Sequence, residues 1–129
     1  MQNNSSPNIF QSGQIVCIES GIETLYGEVI QVIDRRQLCW VRPLTIAIET
    51  KKDSKSFDVN TDKEIIDLRS AADLLLPIAL FRASYDTEAI FLLAELASRE
   101  PSYNKGEMSY SLNSFVKQVW QNNKDKFVN

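Results

Sequence analysis

Three strand-like runs dominate the first half of the chain and constrain its fold more than any other feature. Residues 14–20, 25–34 and 37–49 are rich in Val, Ile, Tyr and Trp, the side chains that favour β-strands. The polar segment DRRQ separates the second run from the third, and so short a polar break predicts a hairpin. Gly27 inside the second run indicates a bulge or a sharp bend. These patterns predict an antiparallel sheet.

Two shorter strands are expected after a loop. Residues 50–63 are polar and lack periodicity, which predicts an exposed loop. Residues 64–69 and 72–77 have strand character, and a proline ends the second of them. Alternation along the first of these strands places Asp67 and Arg69 on one face as neighbours. The two side chains are therefore expected to screen each other or to pair with the next strand.

Two helices are expected in the last third of the chain. Residues 86–99 begin with Asp86 or Thr87 as a suitable cap, and a proline follows the segment. This helix is apolar around most of its circumference, so it needs cover on more than one side. The second helix is indicated by apolar residues at i, i+3, i+4, i+7 and i+8, namely Leu112, Phe115, Val116, Val119 and Trp120.

This order of short strands followed by helices is typical of an α+β protein. It predicts a small SH3-like antiparallel β barrel of about five strands, followed by two C-terminal helices packed on one side of it. An open antiparallel sheet backed by the same helices is the alternative. Residues 1–12 are predicted to form a flexible N-terminal arm, residues 13–84 the barrel, and residues 85–129 the helical segment packed on the barrel.

The composition argues against several classes of site. The chain has no histidine, so Ser-His-Asp and Cys-His catalysis and helical histidine metal sites are impossible. It also lacks the glycine-rich motifs that bind phosphate. No enzymatic activity and no cofactor are therefore expected. The net charge of −3 comes from well-mixed acids and bases, so no electrostatic footprint for nucleic acid is visible.

The cysteines and the N-terminus indicate a reducing compartment. Cys17 and Cys39 lie in apolar runs, where a free cysteine behaves as a small core residue, and a disulfide between them has little support. The polar first residues do not resemble a secretory signal, and no apolar run is long enough to span a bilayer. We expect a cytoplasmic protein without membrane insertion.

The segment DVNTDKE has the alternating oxygen-bearing side chains of a calcium loop, namely Asp58, Asn60, Asp62 and Glu64. However, Lys63 replaces the glycine that makes the turn in such loops, and Arg69 replaces the final glutamate. A solvated loop is the favoured interpretation, and no metal site is expected.

Six charged residues adjoin apolar runs: Arg42, Asp67, Arg69, Asp73, Arg82 and Asp86. Charges in such positions are costly to bury unless they are paired. Two interpretations stay open, because the set could form ion pairs that lock the strands to the first helix or could orient a protein partner. In the second case the partner-binding residues are Arg42, Asp67, Arg69, Arg82 and Asp86.

A nucleic-acid-binding barrel is the alternative hypothesis for function. Its phosphate contacts would come from basic residues in two turns or loops, namely Arg35, Arg36, Lys51, Lys52 and Lys55. Tyr26 and Trp40 would stack on bases. Aspartates interrupt the lysine-rich loop, so nucleic acid is less expected as a partner than another protein or a second copy.

Three strings form a distinctive set: VRPL at 41–44, DLRSAADLLLP at 67–77 and LFRASYDTE at 80–88. They resemble the VRPL, DLRxxxDLLLP and LFRxxxDTE motifs of a family of small cyanobacterial proteins of uncharacterised function. The resemblance spans about residues 13–97 and implies a compact β domain, without implying an activity. Together with the composition, it leads us to expect a non-enzymatic protein-interaction or accessory module.

Overall fold

The structure, a computed structural model, describes residues 10–49, 63–100 and 105–124 of the chain. Side chains are described within 10–49, 64–100 and 111–124. In chain order the elements are β1 (Ile15–Ser20), β2 (Glu23–Ile33), β3 (Leu38–Glu49), β4 (Lys63–Asp67), β5 (Leu74–Pro77), β6 (Arg82–Ala83), α1 (Asp86–Ala97) and α2 (Lys105–Asn122). Single 3-10 turns join β2 to β3 and β5 to β6.

The six strands form one antiparallel sheet in the order β4-β3-β2-β1-β6, with β5 also paired to β3. The long strand β3 pairs with β5 along its first part and with β4 along its last part. Pro77 ends β5, and the 3-10 turn Ile78–Leu80 leads to β6, which pairs with β1. Among the described strands, β4 and β6 at the two ends of this order do not pair with each other, so the sheet is not closed. The α+β class with an antiparallel sheet is confirmed, whereas the closed barrel is not.

The β2–β3 hairpin forms as its sequence predicts. The turn Asp34–Arg36 is followed by Gln37 in the left-handed conformation, with a φ of 56°. The register of the hairpin shifts between Tyr26 and Gly27, which confirms the predicted irregularity at this glycine. A Cβ atom on Gly27 would collide with the side chain of Val41 and lie 3.0 Å from the carbonyl oxygen of Arg42. Glycine is needed here because the two strands approach closely.

The sheet carries an apolar layer on each of its faces. Alternation along β1 directs Val16 to one face and Cys17 to the other. The α2-side core contains Val16, Ile18, Leu25, Val29, Cys39, Val41, Ile46, Leu68, Ile78, Phe81, Leu112, Phe115 and Val119. The α1-side core contains Cys17, Tyr26, Ala47 and Leu92. The two helices therefore lie on opposite faces rather than on one side, because the strands are apolar on both faces and each face needs its own cover.

Each helix buries one side and exposes apolar residues on the other. In α1, Leu92 and Leu96 are buried, whereas Ile90 and Leu93 are 68% and 44% exposed. In α2 most of the predicted apolar row faces the sheet, but Trp120 is 44% exposed. Neither helix in the described part of the chain has the length and apolar character needed to cross a bilayer.

The start of α1 differs from the prediction. Tyr85 is the N-cap, rather than Asp86 or Thr87. The carboxylate of Glu88, three residues further on, accepts the backbone N–H of Tyr85 at 2.9 Å. This is half of a capping box, in which an acidic side chain in the first turn satisfies a free N–H of the helix start.

Both cysteines are thiols rather than a disulfide, and they are buried on opposite faces of the sheet. Cys17 lies in the α1-side core and Cys39 in the α2-side core, so the backbone of the sheet separates the two thiols. Burial raises the pKa of the Cys39 thiol.

Several predictions fall on residues outside the described ranges. Most of the predicted arm, residues 1–12, is among them, although Phe10 packs against the α2-side core. The loop 50–62 is also outside, together with the calcium-like Asp58, Asn60 and Asp62 and the basic Lys51, Lys52 and Lys55.

Candidate interaction surface

The N-terminal end of α1 is attached to the sheet through Glu88. Its carboxylate accepts the hydroxyl of Tyr26 on β2 at 2.9 Å. Arg82 on β6 donates to the same carboxylate at 3.3 Å and to Glu19 on β1 at 2.8 Å. The first turn of α1 is thereby tied to three strands.

The electrostatics of this anchor hold each group in one protonation state. Burial alone would raise the pKa of Glu88, but hydrogen bonds from Arg82, Tyr85 and Tyr26 outweigh it and lower the pKa. Burial, together with the bond to Glu88, raises the pKa of Tyr26. The hydrogen bond to Glu19 raises the pKa of Arg82. These shifts favour the carboxylate of Glu88, the neutral hydroxyl of Tyr26 and the charged guanidinium of Arg82, which are the forms that make the contacts of this anchor.

The C-terminal end of α1 is attached through Arg69. Its guanidinium forms a two-pronged pair with the buried Asp67, with Nε to Oδ1 at 3.0 Å and Nη2 to Oδ2 at 2.7 Å. The same Nη2 donates to the backbone carbonyl of Arg99 at 3.2 Å. This carbonyl lies just beyond the last turn of α1, where helix carbonyls lack intrahelical partners. The pair therefore connects the end of β4 to the end of α1.

The structure divides the predicted partner-binding set among three places. Arg82 and Asp86 lie at the start of α1, and Asp67 and Arg69 at its end. Arg42 stands apart on β3, where its Nε lies 3.9 Å from Asp73. Three of the five residues make contacts that secure α1 or the strand beside it, which favours the interpretation as ion pairs that lock the strands to the helix.

Between the two attachment points of α1 lies an apolar surface that contains none of the predicted partner-binding residues. We name it the α1 outer face, and it consists of the exposed residues Ile90, Leu93, Ala94 and Ala97. Their spacing of three and four residues places them along one side of the helix, opposite Leu92. The sequence indicates this surface, because α1 has a second row of apolar residues in addition to the row that faces the core. Asp86 precedes this row, and Glu100 follows it next to Arg99, whose guanidinium pairs with Glu95.

The residues of the nucleic-acid hypothesis do not come together on one surface. Tyr26 is 2% exposed and bonded to Glu88, so its ring cannot stack on a base. Trp40 is 37% exposed, and its indole N–H donates to Asp73 at 2.9 Å. Arg35 and Arg36 are exposed in the turn between β2 and β3.

Trp40 borders a shallow apolar cavity of about 260 Å³ on the β3–β5 side of the sheet. The other lining residues are Ile33, Asp73, Leu74 and Leu75. Leu75 lies directly opposite Trp40 in the strand pairing. The acidic Asp73 at this cavity is unfavourable for a phosphate group.

A second cavity of about 290 Å³ lies between the β1–β2 turn and the start of α1. Three of its lining residues are acidic, namely Glu19, Glu49 and Glu88. Arg82 pairs with both Glu19 and Glu88, but it supplies one positive charge against three carboxylates, so the cavity keeps a negative charge.

No protein-family model, curated protein or solved structure matches this chain. The resemblance to a cyanobacterial family stays a prediction.

Proposed function

We propose that the protein is a non-enzymatic protein-interaction module that docks through the α1 outer face. The observation that carries this proposal is the exposure of Ile90 and Leu93, 68% and 44%, on a helix attached at both ends. Exposed large apolar side chains that are adjacent on one helix face are typical of sites that a partner covers.

The attachment of α1 suits it to binding. A helix that presents apolar residues at i, i+3 and i+7 can lie in a groove of a partner or pack against another helix. Because Glu88 and Arg69 already hold the two ends of α1, little conformational entropy remains to be lost when the face is covered. This rigidity favours docking of the folded helix over binding coupled to folding.

We also infer that the sheet has the strand arrangement of the SH3-like barrel expected from the sequence but does not close. In support of this inference, β5 and β6 flank a 3-10 turn and pair with β3 and β1 respectively. In such a module the sheet acts as the support and α1 as the contact element.

The test compares the wild type with an Ile90→Lys, Leu93→Lys double variant. Each protein is used as bait in a nuclease-treated lysate, and binding of an apolar dye is measured in parallel. We expect the wild type to bind dye and retain a stoichiometric protein that the variant loses, because the lysines place charge on the contact face. Thr87→Lys, at an exposed position of the same helix, is the matched control and retains both. Equal binding of dye and of proteins by wild type and variant would refute the proposal.

Nucleic-acid binding is the second candidate, and the exposure of Trp40 on β3 and of Arg35 and Arg36 in the turn between β2 and β3 supports it. In a Trp120→Phe background Trp40 is the sole tryptophan and reports base stacking by fluorescence. This hypothesis expects quenching by oligonucleotides that weakens steeply with salt. An unchanged spectrum at low salt would rule it out.

A further inference from the structure

A second surface complements the α1 outer face, and it lies on the other helix. We name it the α2 outer face, and it consists of the exposed residues Lys117, Trp120 and Lys124. The spacing of three and four residues aligns them on one side of α2, opposite the buried Phe115 and Val119. The ammonium group of Lys124 lies 5.3 Å from the centre of the Trp120 ring. This face is an aromatic side chain between two cations.

The charges of the two faces are opposite in sign. Residues 111–124 contain two lysines and no acidic residue. Residues 82–100 contain four acidic residues and two arginines, a net charge of −2, and Asp86 and Glu100 stand at the two ends of the apolar row. Contact between the two faces is favourable in two ways. The lysines attract the acidic residues, and the tryptophan ring covers the apolar row.

The dimensions of the two faces also agree. Lys117 and Lys124 are seven residues apart, about 10 Å of helix, and the apolar row from Ile90 to Ala97 has the same length. Asp86 and Glu100 are fourteen residues apart, so one copy brings a lysine to one acidic end at a time. The small side chains of Ala94 and Ala97 beside Leu93 leave space for a ring on the α1 outer face. Tryptophan is also among the side chains most enriched at the energetically dominant positions of protein interfaces.

The two faces cannot meet within one molecule. Leu92 of α1 packs against one face of the sheet, and Phe115 of α2 packs against the other. The sheet therefore separates the α1 outer face from the α2 outer face. Complementary surfaces on opposite sides of one molecule can cover each other only when they belong to different copies.

We propose that the partner of the α1 outer face is the α2 outer face of a second copy, so that the protein associates head to tail. This inference rests on the proposed function, because it names the partner of the same surface. When two different surfaces form the contact, the copies at the two ends of the assembly each keep one surface uncovered. Further copies can add there, so the assembly grows into a row unless the rotation between copies closes a ring.

The experiment uses two variants of the full chain that each lack one face. Leu93→Lys alters the α1 outer face, and Trp120→Glu alters the α2 outer face. Both positions are exposed, and circular dichroism and the melting temperature confirm that each variant is folded. The weight-average mass is measured by sedimentation over a range of protein and salt concentrations.

We expect the mass of the wild type to rise with protein concentration and to fall with added salt, because the lysine–carboxylate contacts are screened. Each variant alone stays at the monomer mass of 14.7 kDa. An equimolar mixture forms a complex of twice that mass and no larger species, because one intact face of each kind remains. In the same mixture, Lys117→Glu in the Leu93→Lys copy should weaken the complex, and adding Asp86→Lys to the Trp120→Glu copy should restore the complex and its salt dependence, because the exchanged charges again attract.

Other outcomes overturn the inference, and they separate it from the proposed function. If only Leu93→Lys abolishes association, the protein forms a closed dimer through α1 alone. If the mixture stays monomeric while wild type associates, the α2 outer face is not the partner. A wild type that is monomeric at every concentration also refutes the inference, but the proposed function survives if Leu93→Lys still loses a different bound protein.

Discussion

Glu88→Ala tests the anchor at the start of α1 most directly. The change leaves the buried hydroxyl of Tyr26 without its acceptor, and such a loss costs about 1–3 kcal/mol. Losing the bond that caps the helix at Tyr85 adds about 1 kcal/mol. The ion pair with Arg82 contributes less, because Arg82 is 35% exposed and keeps its bond to Glu19. We expect a total loss of about 2–4 kcal/mol in the free energy of unfolding.

The assay is urea unfolding followed by tryptophan fluorescence and circular dichroism. The midpoint is expected to fall with an unchanged slope, since the variant keeps the same fold. Glu95→Ala removes a surface pair with Arg99 on the same helix and is the control, with an expected cost below about 0.5 kcal/mol.

A double-mutant cycle with Tyr26→Phe isolates the buried hydrogen bond. Without the hydroxyl there is no unpaired donor, so Glu88→Ala should cost about 1 kcal/mol less in this background. A cost for Glu88→Ala no larger than that of Glu95→Ala, or strict additivity in the cycle, would refute the proposed role of the anchor.

Three further predictions concern pH, packing and the thiols. The folded pKa of Glu88 lies below its unfolded value of about 4.3. The contribution of the Glu88 carboxylate to stability is therefore present above about pH 4.3 and disappears as the pH falls through the folded pKa. When the unfolding midpoint is measured at decreasing pH, Glu88→Gln should lose less stability than the wild type. Gly27→Ala should lower the stability in urea by about 1–3 kcal/mol because its methyl group meets β3. Cys17 and Cys39 should react with a thiol reagent only after unfolding, because both are buried and reduced.

Each of these predictions has a contrary outcome. An equally steep acid loss in wild type and the glutamine variant would show that other carboxylates dominate. Gly21→Asn is the control for Gly27→Ala, because Gly21 has open space around it and a φ of 61° that asparagine tolerates. Equal stability of Gly21→Asn and Gly27→Ala would contradict the close approach of β2 and β3. Rapid labelling of either thiol in the native protein would contradict its burial.

The sequence was sufficient for five of the six strands, the β2–β3 hairpin, the irregularity at Gly27 and the presence of both helices, whereas the two-residue strand β6 was not predicted. These features depend on neighbouring residues, because side-chain alternation, turn composition and helical spacing are set within a few positions along the chain. The pairing of Asp67 with Arg69 was also foreseeable for this reason, since the two lie on the same side of one strand end.

The candidate surface was foreseeable only in part. The sequence shows that α1 has apolar residues on all sides, but it does not show which of them the sheet covers. Likewise Tyr26 and Trp120 have similar character in the sequence, yet the first is buried in the α1-side core and the second is exposed on α2. Burial depends on the element that packs against a residue, and that element is distant in the chain.

The tertiary structure alone decided three properties: that the sheet is open, that the helices lie on opposite faces, and that Glu88 joins α1 to the sheet. The hydroxyl of Tyr26 reaches a carboxylate 62 positions away, and Arg69 reaches a carbonyl 30 positions away. Local pattern determines which segments form strands and helices, because it acts through the backbone of adjacent residues. Contacts across such separations form only once those segments pack, so the choice of covered and uncovered faces belongs to the tertiary structure.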